Sequence, residues 1–147
     1  MEKEKKYWLA VEIFENWLTD KKIGFSLRGF RNRAQRTVKK IKPEDLMVIY
    51  IASKKSSLGG IVQVESEVYV DKSYDLIWDD FFPLRVKTKP LVILDDNNMV
   101  PFKEIIKDIS FINKKEKWGN YIRQSLIEIS LVDFKVMEKA IKKRISK

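Results

Sequence analysis

Three apolar segments follow one another with only short polar breaks, and they constrain the fold more than anything else in the chain. Leu46–Ala52 reads LMVIYIA, rich in the β-branched and aromatic residues of a buried strand. It is far shorter than the roughly 18 apolar residues a membrane span requires. Gly59–Asp71 (GGIVQVESEVYVD) alternates apolar and polar residues over its later half, as a half-exposed strand does. Phe82–Leu94 (FPLRVKTKPLVIL) is a third long extended segment, with Pro83 and Pro90 at its edges or bends. Strands in such direct succession predict a barrel or a curved sheet.

The flanking segments add helices. YWLAVEI (Tyr7–Ile13) predicts another strand and FENWLTDK (Phe14–Lys21) a short helix. Arg31–Ile41 predicts a second helix, because Ala34, Val38 and Ile41 recur at spacings of four and three. Pro101 suits the first turn of a helix through Asp108, and Ser130 with Asp133 marks the start of a terminal helix whose apolar face is Leu131, Phe134, Met137, Ala140 and Ile141. That helix is expected to cross one side of the barrel. The class is therefore α+β. A chain of 147 residues, without repeats or a linker, reads as one domain over residues 1–147 with an ordinary core.

Much of enzyme chemistry is excluded at once. The chain has no cysteine and no histidine, hence no disulfide, no thiolate metal site and neither of the commonest nucleophile and base types. Asp79-Asp80 and Asp95-Asp96 are adjacent carboxylates, yet neighbours in an extended chain point to opposite faces. Asp95-Asp96-Asn97-Asn98 reads as a turn. No catalytic set, metal site or cofactor is expected. The amino terminus, MEKEKKYW, carries no apolar stretch of export-signal length, so a cytoplasmic location is expected.

The charge is distributed unevenly. From Lys21 to Lys42 there are nine basic residues and no acidic one, which accounts for the whole net charge of +9. On the predicted second helix Arg33, Arg36, Lys39 and Lys40 face away from the apolar stripe, and like charges three or four residues apart cost about 0.2–0.5 kcal/mol per pair. The lysines could complement the helix dipole at its C-terminal end, but Arg28, Arg31 and Arg33 stand at its beginning, where positive charge is unfavourable. An anionic partner explains the cluster better, and a phosphate backbone fits it best, with Arg28, Arg31, Arg33, Arg36, Lys39 and Lys40 as the gripping residues. No helix joins this charge to a broad apolar face, so a membrane is not the expected partner.

Among the aromatics, Trp8 and Trp17 fall in strand and helix patterns as core residues. Trp78 lies between two strand segments, where its ring either caps the barrel or lines a pocket, and Phe25 sits in the loop GFSLRGF ahead of the basic segment. A base stacked on such a ring gains about 1–3 kcal/mol.

In order, YWLAV followed by NW, FRNRAQR, KPEDL leading into VIYIA, GGIVQVESEVYVD, FPLRVKTKP, PFKEIIKDISFI and KKEKWGNYIRQSLIEISLVDF resemble the EVE domain of the PUA-like superfamily, most closely its short stand-alone prokaryotic members. The resemblance implies a PUA-like mixed β-barrel flanked by helices, with a pocket for a flipped-out, often modified base. By similarity to the related YTH readers of methylated adenine, Phe25 would form the first pocket wall with Ser26 as a polar contact, and Trp78 the second wall. Asn32 matches the asparagine of the family's RN motif and would either read a base edge or cap the helix. Trp118 matches a late family position and would close the pocket or pack beneath it. The chain departs from the pattern in having Phe25 where the YTH cage has tryptophan, and Glu44-Asp45 where the turn usually has Gly-Asp.

The function expected is a non-catalytic module that binds RNA or DNA, single-stranded or carrying a modified base, as a monomer. Two alternatives stand beside it: an enzyme acting on a nucleotide or nucleic acid through Asp79, Asp80 or Lys55, and an interaction module for an acidic protein.

Overall fold

A computed structural model describes residues 5–73, 76–78 and 80–145. Asp79 lies outside them. The chain order is β1 (Tyr7–Glu12), α1 (Phe14–Lys22), β2 (Leu27–Phe30), α2 (Gln35–Val38), β3 (Leu46–Ile51), β4 (Ser57–Val64), β5 (Tyr69–Val70), β6 (Leu84–Ile93), β7 (Val100–Pro101), β8 (Leu126–Ile129) and α3 (Leu131–Ile145), with 3-10 turns before α2 and between β7 and β8. The strands form one mixed sheet in the order β2-β6-β4-β3-β1-β8, curled into a half-barrel with flanking helices. β1 runs parallel to β3, and the other pairings are antiparallel.

Both sheet faces are covered, which explains why β3 reads as a continuous apolar run. Met47, Ile49 and Ile51 enter the core inside the curl with Trp8, Ala10, Val62 and Val86. Val48 and Tyr50 enter a second core with Leu9, Ile61 and the inner face of α3. Alternation on a pleated strand divides the residues between the two. Phe134, Met137 and Ile141 of α3 are buried as expected, but Leu131 is 49% exposed, at the first turn of the helix. Ser130 caps that helix as its sequence suggests: its Oγ accepts the Asp133 N–H at 3.1 Å. The Asp133 carboxylate turns instead to the Ser110 N–H and hydroxyl.

The curl needs close approach at β4. A Cβ on Gly59 would stand 2.7 Å from Trp17 and Ile51 side-chain atoms, and one on Gly60 would stand 2.4 Å from the Val92 carbonyl oxygen. The two glycines lie within β4, next to a shift of register between Ile49 and Tyr50, rather than at the entry to a strand.

The basic segment is not the helix its periodicity predicts. Leu27–Phe30 is a strand, Asn32–Ala34 a 3-10 turn, and only Gln35–Val38 is α-helical. Val38 and Ile41 are buried and Ala34 packs partly against them, so the apolar stripe is real. Repulsion among Arg33, Arg36, Lys39 and Lys40, with no side-chain cap, leaves too little to extend so short a nucleus. Pro101 ends β7, and the segment after it forms two 3-10 turns, Phe102–Glu104 and Ile106–Asp108, in place of a regular helix.

One turn organises the barrel's edge. Asp45 is buried and accepts from the Lys6 N–H (3.0 Å), the Trp8 indole N–H (3.0 Å) and the Lys42 N–H (2.9 Å), joining the start of β1 to the start of β3. Its neighbour Glu44 has φ of +78°, the left-handed region in which a side chain costs about 1–2 kcal/mol. Glycine relieves that clash at some cost in unfolded-state entropy. Glu44→Gly is therefore expected to stabilise the fold by about 0.5–1 kcal/mol in denaturant titration. Asp45→Ala strands two backbone N–H groups and an indole N–H, and is expected to cost about 3 kcal/mol or more in the same measurement.

Candidate functional site

At the open side of the curl, β1, the start of α1, β2 and the segment before β6 surround a depression floored by charge. Arg28 points inward from β2 and is 4% exposed. Its Nη1 donates to Asp20 at 2.7 Å and to Glu12 at 3.3 Å. Asp20 also accepts the Trp78 indole N–H at 2.8 Å. Glu12 ends β1 on its inward alternation, and Asp20 lies three residues after Trp17 on the buried face of α1. Two chain segments therefore bring acids to one arginine, and that arginine's second partner orients the tryptophan.

The protonation states follow from burial. Desolvation raises the Glu12 pKa well above the usual carboxylate value; Arg28 opposes this and Asp20, a second acid alongside, reinforces it. For Arg28, burial lowers the pKa, but the attraction of Glu12 and Asp20 outweighs it, so the guanidinium stays charged and its pKa is raised. Its Nε–H is buried and has no hydrogen-bond partner among the described residues.

The aromatic walls are Trp78 and Phe82. Their rings meet edge to face at 5.8 Å, and the Arg31 guanidinium lies 5.0 Å from the Phe82 ring centre. Gly29 makes this possible, because a Cβ there would stand 2.7 Å from the Trp78 ring and 2.8 Å from Phe82 Cβ. Beneath the rings, against Glu12, Arg28 and Asn16, lies a cavity of about 60 Å³. It opens into a mouth of about 460 Å³ bordered by Ile13, Asn16, Arg33, Trp78, Phe82 and Ser125.

The expected site residues divide. Trp78 lines both cavity and mouth, and Arg33 borders both. Phe25 does not form a wall: its ring is in the core, 4.9 Å from Trp17, while its N–H donates to the Asp20 carbonyl and closes the end of α1. Its φ of +54° follows from that turn. Ser26 is exposed and donates to the Ile23 carbonyl, outside the depression. Asn32 is exposed on the 3-10 turn, where Arg31 holds the cap position, and neither lines the depression nor caps the turn. Trp118 packs 5.5 Å from Phe102 against the second core and lines neither the cavity nor its mouth.

Among the basic residues, Arg28 is a buried ion-pair partner and not a surface contact. Arg31 is paired with Asp80. Arg36, Lys39 and Lys40 are exposed and paired with no acid among the described residues. Asp80 is engaged further by the Phe81 N–H, which with Arg31 lowers its pKa. Lys55 lies 5.3 Å from the Phe14 ring centre, and Asp96 of the expected turn accepts from the Trp17 indole N–H and from Lys21. Glu12, Asp20, Asn16 and Phe82 are the site residues that the sequence did not single out. The one available signal was Glu12, an acid on an inward-facing position of an otherwise apolar strand.

The sequence profile of the EVE domain matches residues 6–140. The chain belongs to the EVE domain family. A relative from Pyrococcus horikoshii, the UPF0310 protein PH1033, is 31% identical over 150 residues, covering 92% of this chain and 98% of its own. Among solved structures, Rpa0253 from Rhodopseudomonas palustris superposes with a TM-score of 0.68 at 17% identity, covering 94% of each chain. The YTH domain of the Zygosaccharomyces rouxii MRB1 protein, solved in complex with N6-methyladenosine RNA, superposes with a TM-score of 0.68 at 12% identity, covering 96% of this chain and 87% of its own. These EVE and YTH likenesses establish a PUA-related fold.

Glu12 supplies a test of the buried cluster. Because its folded pKa is raised, the folded state holds the proton more tightly than the unfolded chain, and stability falls as pH rises from the ordinary carboxylate value through the folded value. Glu12→Gln removes that dependence. The stability difference, variant minus wild type, is expected to grow with pH across this window and then level off, as read by denaturant titration at a series of pH values.

Proposed function

We propose that this EVE domain binds nucleic acid and seats one unpaired or extruded base in the mouth between Trp78, Phe82 and the β1–α1 corner, with the basic segment beside it on the flanking phosphates. The observation that carries this reading is the junction of an aromatic-walled depression with a basic segment in which Arg33, Arg36, Lys39 and Lys40 pair with no acid among the described residues. The family and the likeness to a YTH domain solved with N6-methyladenosine RNA support it. A base takes the outer volume of about 460 Å³, since the inner cavity of about 60 Å³ is of the size of a water or two.

The energetics favour single strands. Extrusion from a duplex costs a few kcal/mol, while stacking on one ring returns about 1–3 kcal/mol, so duplex sites need phosphate contacts to make up the difference. A modified base that fills the mouth with additional apolar surface gains further, at roughly 25 cal/mol per Å² buried. Nothing in this arrangement needs a cofactor, and the binding role is complete without a reaction.

The test is a binding titration against oligonucleotides carrying a panel of modified bases. Phe82→Ala and Trp78→Phe are expected to erase the preference for one base, the second by removing the indole N–H through which Asp20 holds the ring, while Arg33→Ala weakens binding to all sequences alike. Circular dichroism checks that each variant is folded. Full discrimination retained by both aromatic variants would exclude the depression as the base site.

A further inference from the structure

Seven arginines occur in the chain. Four are tied to carboxylates: Arg28 to Glu12 and Asp20, Arg31 to Asp80, Arg85 to Asp71 and Arg144 to Glu104. The other three, Arg33, Arg36 and Arg123, pair with no carboxylate among the described residues; Arg123 donates only to the amide oxygen of Asn120, at 2.6 Å.

Those three meet in one place. Arg33 and Arg36, from the segment after β2, and Arg123, from the turn before β8, line a single depression of about 510 Å³. Thr37, Gln124 and Ser125 supply polar groups to its walls, and among the described residues no acidic one lines it. The mouth of the Trp78 depression, by contrast, has Glu12, Glu15 and Asp80 on its border. The two depressions adjoin, because Arg33, Arg123, Gln124 and Ser125 border both.

Three guanidinium groups drawn together without a counter-charge repel one another, and elsewhere in this protein every arginine has been given an acid. A planar guanidinium fork matches the oxygens of a phosphate bidentately, which a lysine does not. We infer that Arg33, Arg36 and Arg123 form a phosphate-binding site, which takes the internucleotide phosphate adjoining the base seated over Trp78. The choice of an internucleotide phosphate rests on the nucleic-acid reading above; the site itself rests on the arginines. Lys39 and Lys40 border neither depression, and Arg31 is already neutralised by Asp80, so these residues contribute attraction at a distance without seating the phosphate.

Fluorescence anisotropy of a labelled single-stranded oligonucleotide across a salt series tests this on the wild type, Arg36→Ala, Arg123→Ala and a Lys39→Ala/Lys40→Ala double variant. Each arginine variant is expected to bind several-fold more weakly with its salt slope reduced by about 1, and to leave the ranking of bases unchanged. The double lysine variant removes only attraction at a distance and is expected to weaken binding by less than either arginine variant does. Wild-type affinity and slope in both arginine variants overturn the site. A second measurement does not depend on the oligonucleotide: on titration with inorganic phosphate, the Nε–H resonances of Arg33, Arg36 and Arg123 are expected to shift together while that of Arg144 stays. A wild type that shows these shifts but binds no oligonucleotide keeps the phosphate site and removes the nucleic-acid reading. No shift, with unaltered salt slopes, removes the site.

Discussion

The candidate site depends on one buried arginine. Arg28 carries its charge into the interior from β2, and an unpaired charge there would cost far more than the fold has to spare. Asp20 from α1 and Glu12 from β1 answer it. The pair therefore fixes three separate elements relative to one another around the open side of the barrel. Breaking such a pair by removing one partner typically costs about 3–5 kcal/mol, because the other charge is left behind.

The same cluster decides where the aromatic wall stands. Asp20 uses one oxygen for Arg28 and the other for the Trp78 indole N–H, so the ring is held by the acid that neutralises the arginine. Gly29, next to Arg28 on β2, leaves the space into which that ring and Phe82 close. Position 28 thus buries the charge and position 29 admits the ring. Arg28, Gly29 and Phe30 of the four-residue strand Leu27–Phe30 all line the cavity beneath the rings.

The strand framework was legible because burial on both faces leaves a strong record. β1, β3, β6 and α3 lie where the apolar runs and the Ser130 cap place them. β2 and β8 were not legible: each is four residues long, and β2 contains a glycine and an inward arginine that by type belongs on a surface. The second helix was over-read, since periodicity records which residues are buried but not the mutual repulsion that shortens the helix. Of the expected base-binding residues, Trp78 stands in the depression, whereas the ring of Phe25 is turned into the core by a helix-closing turn and Trp118 lies against Phe102.

The sequence by itself determined the class of fold, the EVE membership and the concentration of positive charge, because these are properties of order, pattern and count along the chain. Only the tertiary structure decided which arginines are spent on internal acids and which remain open to a ligand. That division depends on where Glu12, Asp20, Asp71, Asp80 and Glu104 arrive in space. Coulomb attraction falls off with distance through the folded molecule, not along the chain, so a local run of charge carries no record of acids brought to it from elsewhere.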